Sequence, residues 1–256
     1  MQPSLGCPVC PGAPCCRMLP IMTSDNIDII ELVTGGDAAA VPSASIVVLH
    51  GLGADGNDFV PIAQELDLDS VGPVRFVFPS APVRPVTING GYEMRAWYDI
   101  YPPNPSGQRA EDEAGLRHSQ ALVQALLDRE AARGVPPERT VLMGFSQGCA
   151  MALLVGLRAP QRLAGIVGLS GYLPLAERTA SERSEGNRAV PIFLAHGEQD
   201  EVVAVERGQS SRDVLLALNC AVDWRTYPMG HSVCAPEIAD LNRWLLRVLA
   251  PSPTAV

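Results

Sequence analysis

The feature that most constrains this chain is an alternation. Short, strongly apolar runs recur between longer segments with helical periodicity. The clearest runs are Ile46-Val47-Val48-Leu49, Val74-Arg75-Phe76-Val77-Phe78, Val141-Leu142-Met143, Gly165-Ile166-Val167-Gly168-Leu169 and Ile192-Phe193-Leu194-Ala195. Three of them are apolar throughout, as strands covered on both faces must be. Asn26 to Leu32 suggests an earlier strand, and Val222 to Tyr227 alternates in polarity, which suits a strand nearer a sheet edge. Between them, Glu111 to Arg133 opens with acids and stops at Gly134 before Pro136-Pro137. Gln147 to Leu157, Val205 to Leu218 and Pro236 to Leu249 complete the helices. In the last, Ile238, Leu241, Leu245, Val248 and Leu249 share one face. Strands alternating with helices predict an α/β fold with a mostly parallel central sheet and helices on both faces.

A chain of 256 residues suits one large domain, expected over 23–256. No apolar run is long enough to span a bilayer. The formal charge of −9 disfavours phosphate backbones and anionic lipid surfaces, so nucleic acid and a stable membrane anchor are not expected partners. All 19 basic residues are arginine. Without lysine there can be no Schiff base and no phosphate-loop lysine. That bias also suggests a GC-rich, bacterial coding sequence.

Residues 1–22 carry Cys7, Cys10, Cys15 and Cys16. They lack a second spaced knuckle and any histidine, so a disordered leader is expected in place of a zinc site. Ser4-Leu5-Gly6-Cys7 has neither a basic start nor an apolar stretch before it, which rejects a secretory signal. Cys149, Cys220 and Cys234 are too scattered for a disulfide framework, and a reducing, cytoplasmic setting is expected. Two long irregular stretches remain, Pro79 to Gly107 and Arg178 to Arg188. Loops of this length often line a site, although a solvated connection is the expectation for the second.

Gly144-Phe145-Ser146-Gln147-Gly148 is a G-x-S-x-G pentapeptide. Composition alone could supply it. Its context is more specific, because an apolar strand ends just before it and a helical pattern starts just after. Such a turn presents the serine hydroxyl at the strand's C-terminal end. It also places the Gln147 N–H at a helix N-terminus, where it can stabilise an oxyanion. A serine needs a base. Of the four histidines, His118 sits within a helix, and His50 and His196 each end a strand before a glycine. His231 lies in a late loop before the last helix, where the chain order serine, acid, histidine requires the base. Asp200 follows a strand between the two; Asp213 falls in a helix, and spacing does not exclude Glu198. His50-Gly51-Leu52-Gly53 suits a second oxyanion loop with Leu52 N–H as donor.

Six blocks in this order resemble the carboxylesterase/phospholipase branch of the α/β hydrolases, which includes bacterial carboxylesterases, lysophospholipases and acyl-protein thioesterases. They are His50-Gly51-Leu52-Gly53-Ala54-Asp55, Phe78-Pro79-Ser80-Ala81-Pro82, Arg95-Ala96-Trp97-Tyr98-Asp99, the Ser146 pentapeptide, His196-Gly197-Glu198-Gln199-Asp200 and Gly230-His231-Ser232. The resemblance implies an α/β-hydrolase fold without a large lid domain. It implies Ser146, Asp200 and His231 as the triad, preferring Asp200 to Glu198, with Leu52 and Gln147 as backbone donors. Cys149 stands where the family usually has glycine.

The expected reaction is hydrolysis of short- to medium-chain carboxylic esters through an acyl-enzyme, with no metal or organic cofactor. Lysophospholipids or S-acylated proteins are the alternative substrates, and a non-catalytic binding protein on the same fold is the reading from another class. Some relatives form dimers, so a homodimer is open. The acyl pocket is expected to draw on Leu52, Ile88, Tyr92, Met94 and Trp97, with core packing an equal reading for Trp97.

Overall fold

The computed structural model describes residues 27–35, 41–107 and 109–250. The cysteine-rich leader and its zinc question lie outside these residues. The expected alternation is present. A seven-stranded sheet contains β1 (Ile29–Thr34), β2 (Ala44–Leu49), β3 (Val74–Pro79), β6 (Thr140–Phe145), β7 (Gly165–Leu169), β8 (Pro191–Gly197) and β9 (Ala221–Tyr227). Its order is β1-β3-β2-β6-β7-β8-β9. Only β1 runs antiparallel, against β3; the other pairs are parallel. β4 (Val83–Val86) and β5 (Tyr92–Arg95) form a separate antiparallel hairpin.

Strand periodicity builds two core layers. Successive side chains of a strand point to opposite faces. Val47, Leu49, Leu142, Ile166, Ile192 and Leu194 enter one layer. Ile46, Val48, Val141, Met143, Val167 and Phe193 enter the other. Burial on both faces explains the unbroken apolar runs. The first layer is closed by α2 (Glu113–Ala132), α3 (Gln147–Arg158) and α5 (Val205–Ala217). The second is closed by α1 (Val60–Glu65) and α6 (Ala235–Val248). α3 is buried from Gln147 to Leu157, so it runs through the protein's interior. On α6, Leu241 and Leu245 are buried, with Ile238 and Val248 packed beside them, as the helical stripe predicts.

The irregular stretches hold more structure than their composition suggests. Pro79 to Gly107 contains the β4–β5 hairpin, turned through a 3₁₀ segment at Thr87–Asn89. Arg178 to Arg188 overlaps α4 (Ala176–Glu182), and Glu182 accepts hydrogen bonds from Arg117 and Arg158. Those two guanidinium groups hold its carboxyl down at about 2, although burial opposes them. Asn187 is also fully buried, so this segment is more than a solvated connection.

Candidate active site

The site grows from the C-terminal ends of β2, β6 and β8 and the loop after β9. Ser146 is the single residue between β6 and α3, with φ 55° and ψ −115°. A non-glycine residue there is strained, and the surrounding packing must hold it. Two glycines make the turn feasible. A Cβ on Gly148 would strike the Leu49 carbonyl, and one on Gly144 would strike the Gly148 backbone. The Ser146 N–H donates to the Leu169 carbonyl at 2.8 Å, which ties the turn to β7.

His231 lies in the loop between β9 and α6. Its Nδ1 is 2.7 Å from Asp200 Oδ2 and its Nε2 is 2.9 Å from Ser146 Oγ. A carboxylate can only accept, so Nδ1 carries the proton and Nε2 is free to accept from the serine hydroxyl. Asp200 is fixed from its other oxygen, where Oδ1 accepts the Val202 and Val203 amides at 2.9 and 2.8 Å. The acid and histidine loops are stitched together by backbone. Glu198 N–H donates to Tyr227 O at 2.8 Å and Gln199 N–H to Met229 O at 3.0 Å.

The rejected candidates are placed elsewhere. Glu198 is exposed and accepts from Thr226 Oγ1. Asp213 pairs with Arg212 on α5. His118 is exposed on α2. His50 and His196 do sit at the sheet's C-terminal edge, in supporting positions. Ala81 N–H donates to His50 Nε2 at 2.9 Å, so His50 Nδ1–H faces the Gly51 carbonyl at 2.7 Å. Burial lowers the His50 pKa and favours this neutral ring. His196 Nε2–H donates to Val203 O at 2.7 Å, and burial lowers its pKa too. Cys149 is buried directly behind Ser146, and burial pushes its thiol up to about 12, so it stays protonated.

Leu52 and Gln147 both border a cavity of about 270 Å³ that Ser146 also lines. Neither backbone N–H has an acceptor among the described residues. The Gln147 side chain has a separate task. Its Oε1 accepts the Trp97 N–H at 2.8 Å and its Nε2 donates to the Tyr98 carbonyl at 2.7 Å. Trp97 Nε1–H reaches the His50 carbonyl at 3.0 Å, and Ser119 Oγ donates to the Trp97 carbonyl.

Two of the five residues expected in the acyl wall, Leu52 and Ile88, line the cavity; Tyr92, Met94 and Trp97 do not. Trp97 is fully buried in the core layer of α2 and α3. Met94 lies beside Gly53 of the oxyanion-loop candidate. Tyr92 is 71% exposed on the hairpin. The wall is completed by Tyr98, Ile100, Tyr101, Leu116, Tyr172, Val202 and Val203, with Arg109, Glu111 and Arg207 as polar members. Sequence offers little signal for these, because they come from five separated segments. Among the described residues no group of three or more His, Cys, Asp or Glu could hold a metal ion.

The fold and this constellation define an α/β hydrolase. A family model described as Phospholipase/Carboxylesterase matches residues 36–249, and the chain belongs to that family. It is 41% identical over 233 residues to acyl-protein thioesterase 1 of Mycosarcoma maydis, covering 85% of this chain and 96% of that protein. It is 39% identical over 212 residues to acyl-protein thioesterase 1 of Yarrowia lipolytica, covering 81% and 93%. The crystal structure of Arabidopsis thaliana SOBER1 superposes with a TM-score of 0.75 at 32% identity, covering 80% and 99%. Membership makes the protein a hydrolase of the esterase/thioesterase kind. Both curated relatives are fungal, so the bacterial origin suggested by the arginine bias gains no support. Among the described residues no helix is long and apolar enough to cross a membrane.

Proposed function

We propose that Ser146, His231 and Asp200 form the catalytic triad of a serine hydrolase that cleaves short- to medium-chain carboxylic esters. One observation carries the reading: an unbroken hydrogen-bonded line from Asp200 through His231 to a strained serine that lines the cavity. Ser146 Oγ attacks the acyl carbon while His231 Nε2 takes its proton. The oxyanion is met by the unpaired amides of Leu52 and Gln147. The leaving group departs with the proton from His231. Water then adds to the acyl-enzyme as His231 accepts its proton, and the acid is released as His231 returns that proton to Ser146 Oγ. No step requires a cofactor, and the reaction fits a cytoplasmic enzyme.

A second reading has its own support. The relatives at about 40% identity are named acyl-protein thioesterases. The same steps cleave a thioester, with a thiol leaving in place of an alcohol. A series of esters and thioesters of increasing acyl length separates the two readings. A fluorophosphonate probe tests what they share. The folded protein should be labelled, and Ser146→Ala should not; an unlabelled wild type overturns the assignment.

A further inference from the structure

The cavity beside Ser146 is not lined as a purely apolar acyl pocket would be. Two arginines, Arg109 and Arg207, are among its lining residues. Most arginines on this surface are paired with carboxylates, as Arg117, Arg158 and Arg178 are. Neither Arg109 nor Arg207 has a carboxylate within 4.0 Å among the described residues.

The acids that share the cavity are already occupied. Asp99 accepts from the Thr87 amide, the Thr87 hydroxyl and the Ile100 amide. Asp112 accepts from the Asp99 and Gly115 amides and lies 3.8 Å from Arg84. Both oxygens of Glu111 accept the Leu175 amide at 3.1 Å. These bonds occupy the three carboxylates with amide and hydroxyl donors without cancelling their charge, while the guanidinium N–H groups of Arg109 and Arg207 have no acceptor among the described residues.

Arg207 is held in place without a carboxylate. Its Cζ lies 3.5 Å from the centroid of the Tyr172 ring. Tyr172 is fixed in turn by a 2.9 Å hydrogen bond between its hydroxyl and that of Tyr98. Stacking uses the face of a guanidinium and leaves its N–H edge available for a bidentate contact. A planar donor held by an aromatic face is preorganised for a carboxylate or a phosphate. Arg207 and Tyr172 form the wall between the Ser146 cavity and a shallower groove of about 300 Å³ lined by Glu206, Ser210 and Val214.

We propose that Arg207, with Arg109 at the rim, binds an anionic group on the substrate, separated from the scissile carbonyl by a short apolar linker. The linker would lie against Ile100, Leu116, Val202 and Val203. The anion can belong to the acyl part, as a terminal carboxylate, or to the alcohol part, as a phosphate. This inference rests on the hydrolase reading for its catalytic consequence, and its binding consequence stands alone.

The test therefore has two halves. In the first, para-nitrophenyl valerate and the para-nitrophenyl half-ester of glutarate are compared on the wild type and on Arg207→Gln. The ratio of kcat/KM, charged over neutral, should fall at least about tenfold in the variant. It should also fall in the wild type as salt is raised. A wild-type ratio indifferent to salt and to Arg207→Gln, within about twofold, overturns the proposal for acyl-side anions. In the second half, monomethyl glutarate and glycerol phosphate are titrated calorimetrically into folded Ser146→Ala protein. Binding of monomethyl glutarate supports the acyl side, binding of glycerol phosphate supports the alcohol side, and binding of neither overturns the subsite. The wild-type salt response and the Ser146→Ala titrations decide the matter even where Arg207→Gln fails to fold. Anion binding by a protein that no fluorophosphonate labels would remove the hydrolase reading and leave the anion site standing.

Discussion

The two walls of the cleft are built in different ways. The wall that carries Ser146, His231 and Asp200 comes from short segments at the ends of neighbouring strands. Its geometry is enforced by backbone: a strained turn at Ser146, and the Glu198 and Gln199 amides that join the acid and histidine loops. The facing wall is assembled from Ile88, the Tyr98–Tyr101 segment, Arg109 to Asp112, Tyr172 and Arg207. Its order comes from side chains, through the Gln147 bridge, the Tyr98–Tyr172 pair and the Arg207 stack. The chemistry proposed for the first wall tolerates little displacement. The second can differ in identity without disturbing the first, which is how one reaction serves many substrates.

The largest effects should fall on the first wall. Ser146→Ala should lower kcat by about 10⁵–10⁶-fold while leaving the fold intact, as read by single-turnover kinetics beside circular dichroism. A loss of less than a hundredfold, or about 2.7 kcal/mol, would mean that another group supplies the nucleophile. Asp200→Asn keeps the shape but forfeits the charge that holds the His231 tautomer, and kcat should drop about 10⁴-fold. Glu198→Gln is the matched control: its carboxylate faces Thr226 on the exposed side of the loop, and kcat/KM should change by about twofold or less.

Gln147→Ala probes the seam between the walls. The backbone N–H proposed as an oxyanion donor remains, but the Trp97 amide and Tyr98 carbonyl lose buried partners. Each orphaned group costs about 1–3 kcal/mol of stability. Chemical denaturation should show that loss together with a raised KM, because the Tyr98 segment lines the cavity. A drop in kcat alone would assign the side chain to the chemistry instead.

The contrast also explains what could be read from the sequence. Ser146, Asp200, His231, Leu52 and Gln147 each sit in a short motif, and the parallel sheet brings strand ends together wherever the alternation is correct. The strands were legible because burial on both faces leaves unbroken apolar runs. The hairpin at Val83–Val86 and Tyr92–Arg95 was not, because its strands are short and largely exposed and lack that signal. Arg207 follows a glutamate at the start of an ordinary helix, and only the fold shows that it stacks on a tyrosine 35 positions earlier. Trp97 read equally as wall and as core, and its indole N–H bond to His50 places it in the core, one layer behind the cavity.

A further cost lies on the catalytic side. Glu237, in the first turn of the helix that follows His231, is fully buried, and neither carboxylate oxygen has a hydrogen-bonding partner. Burial pushes its carboxyl up from 4.5 to about 8. Below 4.5 both the folded and unfolded chains hold this proton, and Glu237 makes no difference to stability. Between 4.5 and about 8 the unfolded chain releases the proton and the folded one keeps it, so stability falls as pH rises and levels off above about 8. Glu237→Gln should remove that fall, by at most a few kcal/mol. Thermal melts across the window should show the two proteins converging near pH 4.5 and separating toward pH 8. Parallel curves would mean that Glu237 is already ionised in the folded state.

The smallest expected effect sits beside the second wall, at Tyr92. Its place in a Gly- and Pro-rich loop near Ile88 made it a candidate for acyl contact, yet it is 71% exposed and borders no part of the cavity. Ile88, in the 3₁₀ turn of the same hairpin, does line it. Tyr92 pairs with Val86 in the two-stranded ribbon, and its side chain is left in solvent while Val86 is buried. Tyr92→Ala should therefore change kcat/KM for a neutral ester by about twofold or less. Ile88→Ala removes apolar cavity surface and should cost more, on the order of tenfold for an acyl chain that reaches it, since each methylene in contact is worth about 0.8 kcal/mol. The comparison is sharpest as a chain-length series on both variants. A Tyr92→Ala penalty that grows with acyl length would show that the hairpin folds over longer substrates, and that the second wall moves where the first cannot.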